Sequence, residues 1–127
     1  MDFEIFAVHM IDALTVLAAA TDGTWLSRDG GANWKLVDPT GLMFEIAFRN
    51  GLAIVGGRLG IIFSTDLENW DSATDSPTDI IDVGFAGDDV IWAMGASDMF
   101  RSTDGGKNWV RFIDGSSLKA FAFAEEN

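Results

Sequence analysis

The sequence contains no cysteine and only one histidine among its 127 residues. Without cysteine, disulfide bonds, thiolate catalysis and cysteine-ligated zinc are excluded. A Ser-His-Asp triad or a multi-histidine metal site would have to use His9 or be shared between chains. We therefore interpret His9 as a surface or internally satisfied strand residue, and we expect no cofactor and no metal ion.

Positive charge is also scarce. Eight Lys and Arg residues stand against 20 Asp and Glu, which gives a formal net charge of −12. A charge of this sign repels phosphate backbones and anionic lipid surfaces. The composition of this acidic protein therefore predicts no nucleic-acid partner and no membrane partner.

Long hydrophobic runs are missing as well. The most apolar stretch near the N-terminus, residues 13–20, is eight residues long, whereas a membrane-spanning helix needs about 20. Acidic residues precede it and the first basic residue is Arg28, whereas a signal peptide begins with positive charge. We expect no signal peptide, and a soluble protein that is intracellular or associated with a virion.

Short apolar segments and turn residues make up most of the chain instead. Segments rich in Val, Ile, Phe and Trp alternate with 14 glycines, which is typical of short strands joined by tight turns. One motif, here called the box, occurs three times, with its Asp residues 37 and 38 residues apart. Its main residues are Ser27, Asp29, Gly31 and Trp34 in the first copy; Ser64, Asp66 and Trp70 in the second; and Ser102, Asp104, Gly106 and Trp109 in the third.

The box combines turn residues with a large apolar residue. Asp supplies acceptors for the N–H groups of a turn, Gly tolerates positive φ, and Trp brings apolar surface into the next strand, where we expect it in the core. The second box is one residue shorter and lacks the glycines. We expect its turn to be tighter or differently shaped, and to matter less for stability.

A repeat of this length predicts one four-stranded blade of a β-propeller per copy. The predicted units are 1–40, 41–78 and 79–115, followed by a C-terminal strand within 116–127. The predicted strands are 3–9, 14–20, 24–28 and 33–37; 43–48, 52–57, 60–65 and 69–73; and 80–85, 89–95, 98–103 and 108–113.

The first strand of each unit carries a second repeated pattern. Residues 46–48 (Ile-Ala-Phe), 83–85 (Val-Gly-Phe) and 121–123 (Phe-Ala-Phe) alternate large, small and large side chains. This alternation favours an inner strand whose small residue faces a crowded propeller axis while its neighbours fill the layers between blades. Residues 118–123 therefore appear as the first strand of a fourth unit.

The boxes, written Ser/Thr-x-Asp-x-Gly-x-x-Trp, resemble the Asp-box or BNR repeats of sialidase-like propellers. Similar repeats occur in xyloglucanases, sortilin-type receptor domains and photosystem II assembly factors. Nearly the whole chain takes part in the resemblance. It implies an all-β propeller in which the box residues are structural, and it leaves the activity open.

Sialidase chemistry is disfavoured by the residues present. Retaining sialidases use a tyrosine nucleophile, and this chain has no Tyr. Its five arginines, two of them in or beside boxes, suggest no carboxylate-binding triad. A glycosidase with paired carboxylates remains an alternative, because 20 acidic residues offer many pairs.

Three residues outside the boxes are weak candidates for a ligand site. Asp82 lies in a predicted inner strand, where burial would raise its pKa, although an acid at the rim of the central channel is the preferred interpretation. Trp25 and Trp92 present flat faces for stacking on a sugar, but core packing is expected more often. The acidic loops at 71–79 and 88–89 lack the spacing of a calcium loop, so we interpret them as solvated charge.

These observations favour a non-enzymatic binding or assembly module whose propeller face recognises a protein or carbohydrate ligand. The alternatives are a carbohydrate-active enzyme and a structural component of a larger particle such as a virion. Because propellers close with about 4–8 blades, three blades predict a homodimer of six, with the third blade of each chain against the first blade of the other. Either residues 118–123 or residues 3–9 would supply the inner strand of the closing blade.

Overall fold

A computed structural model describes residues 4–96 and 98–112 of the chain. In this part of the chain, twelve strands form three four-stranded antiparallel sheets, and no helix is present. The first sheet contains β1 (Ile5–Met10), β2 (Val16–Ala20), β3 (Gly23–Ser27) and β4 (Lys35–Asp38); the second contains β5 (Met43–Arg49), β6 (Leu52–Gly57), β7 (Ile61–Ser64) and β8 (Asp71–Ser72); the third contains β9 (Asp82–Phe85), β10 (Ile91–Met94), β11 (Met99–Ser102) and β12 (Val110–Phe112).

The predicted all-β architecture is confirmed. Each sheet is a simple meander in chain order, because every connection is a short turn that returns the chain antiparallel to the preceding strand. The predicted strands all overlap observed ones, with ends that differ by at most two residues, and one sheet falls within each of the units 1–40, 41–78 and 79–115. The strand predicted within 116–127, including residues 118–123, lies outside the described residues.

The core lies between the sheets. Since side chains alternate along a strand, each sheet has a forward face, toward the following sheet, and a rear face, toward the preceding one. At the first junction, the forward face of the first sheet packs on the rear face of the second; the buried residues include Leu17, Ala19 and Leu26 against Ile46, Val55 and Ile62. At the second junction, Ala47, Ile54 and Ile61 pack against Val83, Ala93 and Phe100.

The inner strands differ from the prediction in where their small residue points. Ile46 and Phe48 pack in the first junction, whereas Ala47 packs in the second. The expectation that the small residue faces the propeller axis is therefore wrong for β5. Successive side chains of a blade strand point to the two neighbouring sheets, so the small residue makes room for the following sheet instead.

Among the described residues, no helix has the length and apolarity that a membrane span requires.

Candidate functional site

The third box forms a turn closed by its own side chains. The Ser102 hydroxyl donates to Asp104 Oδ1 at 2.8 Å and accepts the N–H of Gly106 at 2.9 Å. The Asp104 carboxylate accepts the backbone N–H of Asn108 at 2.9 Å and the Asn108 side-chain amide at 2.7 Å. Trp109 Nε1 donates to the carbonyl oxygen of Gly106 at 2.9 Å. The conserved-type residues of the motif therefore satisfy the backbone of one turn.

The first box repeats the same bonds. Ser27 donates to Asp29 and accepts from Gly31, and Asp29 accepts from both nitrogens of Asn33 at 2.8 Å. The two box glycines lie at positive φ, with φ of 74° at Gly30 and 96° at Gly31. Glycine adopts this backbone conformation without the steric cost that a Cβ imposes.

The second box keeps the bonds with one residue fewer. Leu67 takes the place of the second box glycine: its N–H donates to Ser64 Oγ at 2.9 Å, and its carbonyl accepts Trp70 Nε1 at 2.9 Å. Leu67 adopts a φ of 69°, a conformation that costs a non-glycine residue roughly 1–2 kcal/mol. Its side chain is buried in the first junction, which offsets that cost. The turn is thus tighter than the others.

The box carboxylates are held ionised by these bonds. Hydrogen bonds from the side chain and backbone of Asn33 lower the pKa of Asp29, and those from Asn69 lower the pKa of Asp66. At Asp104 partial burial raises the pKa, but bonds from Asn108 and Ser102 outweigh it and bring the pKa to about 2. Carboxylates in this state anchor turns and are unsuited to donate a proton at neutral pH.

The box tryptophans are less buried than core residues. Trp34, Trp70 and Trp109 are each half-buried, although Trp70 and Trp109 pack on the first and second junction clusters. Each indole stays at the edge because its Nε1 must reach the carbonyl of its own turn. The indoles therefore cover the turn ends of the junctions.

A groove opens at the second junction on the same side of the sheets as the boxes. The turns after β5, β7, β9 and β11 all leave the sheets at that end. The groove has a volume of about 440 Å³, with Leu52 and Phe63 among its apolar residues and Arg49 and Lys107 among its charged ones. Its remaining lining residues are Asn50, Thr65, Asp88, Asp89, Asp104 and Gly105.

One end of the groove is held by contacts across the junction. Asp88 Oδ1, on the turn before β10, accepts from Arg49 Nε at 3.1 Å and from Asn50 Nδ2 at 2.7 Å. Asn50 has a φ of 49° in the tight turn between β5 and β6, and this conformation is favoured by asparagine. The Arg49 and Asp88 side chains remain exposed, so both can still meet a ligand.

The corresponding edge of the first junction is closed by ion pairs. Arg28 Nε lies 3.0 Å from Glu68 Oε2, and Lys35 Nζ lies 2.9 Å from Glu68 Oε1. In the box repeat, Thr65 corresponds to Arg28, since each follows the box serine, and Lys107 corresponds to Glu68, since each precedes the box asparagine. The second junction therefore has a threonine and a lysine where the first has a bridging pair of opposite charge.

No family profile and no curated protein matches the sequence. The fold, however, matches three solved structures. They are YCF48 bound to D1 peptide (TM-score 0.72, 18% identity, 89% of this chain and 40% of that chain), YCF48 from Cyanidioschyzon merolae (0.73, 21%, 94% and 41%) and an ancestral GH74 enzyme (0.77, 18%, 91% and 19%). The three sheets are β-propeller blades. The chain thus spans less than half the length of each of these structures, and the likeness concerns the fold.

The propeller places the predicted ligand candidates away from the groove. Trp92 lies in β10 on the forward face of the third sheet, with the Arg101 guanidinium 5.6 Å from its ring centroid, and Asp82 lies half-buried on the same face, opposite Met94. Trp25 lies on the rear face of the first sheet and donates its Nε1 to Asp22 at 2.8 Å. Their ligand role stays a prediction.

His9 and the acidic loops also lie apart from the groove's centre. The His9 ring packs on Phe48 across the first junction, with centroids 6.0 Å apart. In the described part of the chain, no cluster of three or more His, Asp or Glu residues is arranged to hold a metal ion. Asp71, Asp75 and Asp79 are exposed, and Asp88 is engaged by Arg49 and Asn50.

The sequence interpretation missed the groove residues Arg49, Asn50 and Lys107. A signal for Lys107 was present, because aligning the three boxes sets it against Glu68 and Ala32. That alignment reveals a change of charge, but only the packing of neighbouring sheets reveals which residue each position faces.

Proposed function

We propose that the propeller is a non-enzymatic binding module and that the groove at the second junction is its contact surface for a protein or carbohydrate ligand. The observation that carries the proposal is that the same edge is closed by ion pairs at the first junction and open at the second. An open edge with its charged groups near apolar side chains is a surface that a ligand can cover.

A segment of a partner protein suits this groove better than a sugar. The lining offers both signs of charge, which pair with charged side chains, and the turn residues Asn50 and Thr65, which bond peptide groups. The aromatic surface that sugars stack on is limited to Phe63, which is partly buried in the junction cluster. A solved YCF48 structure is described as bound to D1 peptide, which supports a peptide ligand for a propeller of this shape.

The electrostatics of the groove favour binding over glycoside hydrolysis. A glycosidase needs a carboxylic acid that keeps its proton near neutral pH, usually through a raised pKa. Asp104, a carboxylate of the groove, has its pKa lowered to about 2 by the bonds of its turn. It therefore serves the structure of the turn, and the alternative of a carbohydrate-active enzyme would have to use other carboxylates.

The proposal is tested by closing the groove with the chain's own solution. The double variant Thr65→Arg/Lys107→Glu installs the pair that Arg28 and Glu68 form at the first junction. Peptides selected by the wild-type protein from a random displayed library should bind this variant at least tenfold more weakly. The matched control is Arg28→Glu/Glu68→Arg, which reverses the first pair and should leave peptide binding unchanged.

Two results would overturn the proposal. Equal peptide affinity for the wild type and the closed variant would move the ligand surface elsewhere. Hydrolysis of glycosides from a substrate panel by the wild type, abolished in the closed variant, would establish the enzymatic alternative. The homodimer predicted from the blade count is a separate question of partner, and its surfaces are argued next.

A further inference from the structure

The rear face of the first sheet carries residues that the other sheets bury. By strand register, Val8 and Met10 of β1 correspond to Ile46 and Phe48 of β5 and to Val83 and Phe85 of β9. The residues of β5 and β9 pack in the first and second junctions. In β1, the same positions are 57% exposed at Val8 and 66% exposed at Met10.

We propose that a second copy of this chain covers this rear face with the forward face of its third sheet, so that two copies close a ring of six sheets. The same pairing of a forward face with a rear face occurs twice within the chain. One chain therefore carries both halves of a third junction, at opposite ends of its row of sheets. Two copies make six blades, within the range of about 4–8 at which propellers close, whereas three copies make nine.

The shapes of the two faces fit this pairing. At each junction, one residue of the forward face packs toward the turn of the next box. At the first junction, Leu17 and Leu67 share a cluster. At the second, the space beside Gly106 is filled by Ile54, whose Cδ1 lies 2.8 Å from where a Cβ would stand. The corresponding residues of the third junction are Trp92 and Gly31, the largest side chain and a glycine.

The space beside Gly31 agrees with this assignment. A Cβ on Gly31 would meet, among atoms within 4 Å, only Trp34 of the same box, at 3.7 Å. Gly106 differs because the neighbouring sheet already reaches it there. An incoming forward face would therefore occupy at Gly31 the place that Ile54 occupies at Gly106.

The polar edge of the proposed junction presents no charge conflict. The positions occupied by Arg28 and Glu68 at the first junction are Thr103 and Ala32 at the third. Both side chains are small and uncharged, so the two copies approach without desolvating a charge at this point. These two positions also serve as probes, because the chain has no cysteine of its own.

The first test is the oligomeric state of the 127-residue protein. Light scattering at micromolar concentration should give twice the mass of the 13.7 kDa chain. The variant Val8→Glu/Met10→Glu should weaken the dimer at least tenfold while the monomer keeps its β-sheet circular dichroism. The control Leu59→Glu changes a leucine that is 63% exposed in the turn between β6 and β7, and it should remain dimeric.

The second test identifies the surfaces. Ala32→Cys and Thr103→Cys proteins, made separately and mixed, should be joined by a short bis-maleimide into a heterodimer that neither protein forms alone. Thr65→Cys/Lys107→Cys, the same positions at the second junction, calibrates the reagent within one chain. A stable wild-type monomer, a ladder of larger oligomers, or cross-linking no better than with Leu59→Cys in place of Ala32→Cys would each overturn the proposal.

Discussion

The first and second junctions join sheets of the same design, yet their box-side edges differ. At the first, Glu68 is bound by Arg28 and Lys35; at the second, Thr65 and Lys107 leave a groove. The buried layer beneath is alike in both, with aliphatic side chains from the two sheets in contact. The repeat thus fixes the packing of the blades, and the exposed residue on either side of each box determines whether an edge is closed or available.

The largest expected effect tests whether the buried layers are equivalent. Leu17 and Ile54 occupy corresponding positions in β2 and β6, and both are fully buried. Leu17→Ala and Ile54→Ala should each lower the free energy of unfolding by about 2–5 kcal/mol, through lost burial and the cavity left behind. Urea unfolding measures both. A loss below about 1 kcal/mol at only one junction would show that the layers are not equivalent.

A smaller effect concerns the turn beside the groove. Asp104→Ala should lower the free energy of unfolding by about 1–3 kcal/mol at neutral pH, because N–H groups of the turn lose their acceptor. The ordinary pKa of this carboxyl is 3.8 and the folded pKa is about 2. Since the folded pKa is the lower one, this stabilisation is present above pH 4 and is lost as the pH falls toward 2.

Denaturant unfolding of wild type and Asp104→Ala between pH 7 and pH 2 measures this dependence. The difference between the two proteins should shrink across the interval from pH 4 to pH 2. A difference that stayed constant over that range would mean that the Asp104 charge contributes nothing to the turn. Asp66→Ala provides the comparison at the first junction, where Asp66 accepts bonds of the same kind from Asn69 and Ser64.

Much of the fold could be predicted because it follows from local chemistry that repeats. The Ser, Asp and Trp of each box specify a turn, and the alternation of apolar residues specifies the strands on either side. The second box shows the limit of such reasoning. Its lack of glycine predicted a tighter turn, but it did not predict that Leu67 would adopt positive φ, since burial in the first junction outweighs the local preference.

The groove was harder to predict because it depends on residues far apart in sequence. Arg49 and Asp88 are 39 positions apart, and so are the groove residue Asn50 and the turn residue Asp89. Neither pair follows from periodicity within one unit. Their approach depends on how two sheets stack, which the sequence specifies only through the sum of many buried contacts.

The smallest expected effect is that of the ion pair which closes the first junction. Arg28 and Glu68 are both accessible to solvent, so their pair should contribute about 0.2–1 kcal/mol, less in high salt. A double-mutant cycle with Arg28→Ala and Glu68→Ala, repeated at about 0.05 M and 1 M NaCl, measures the coupling apart from other losses. The same cycle on Thr65→Ala and Lys107→Ala should give no coupling that depends on salt, because threonine carries no charge. Equal coupling at both junctions would remove the contrast between the closed edge and the groove, and with it the reason to place a ligand at the second junction.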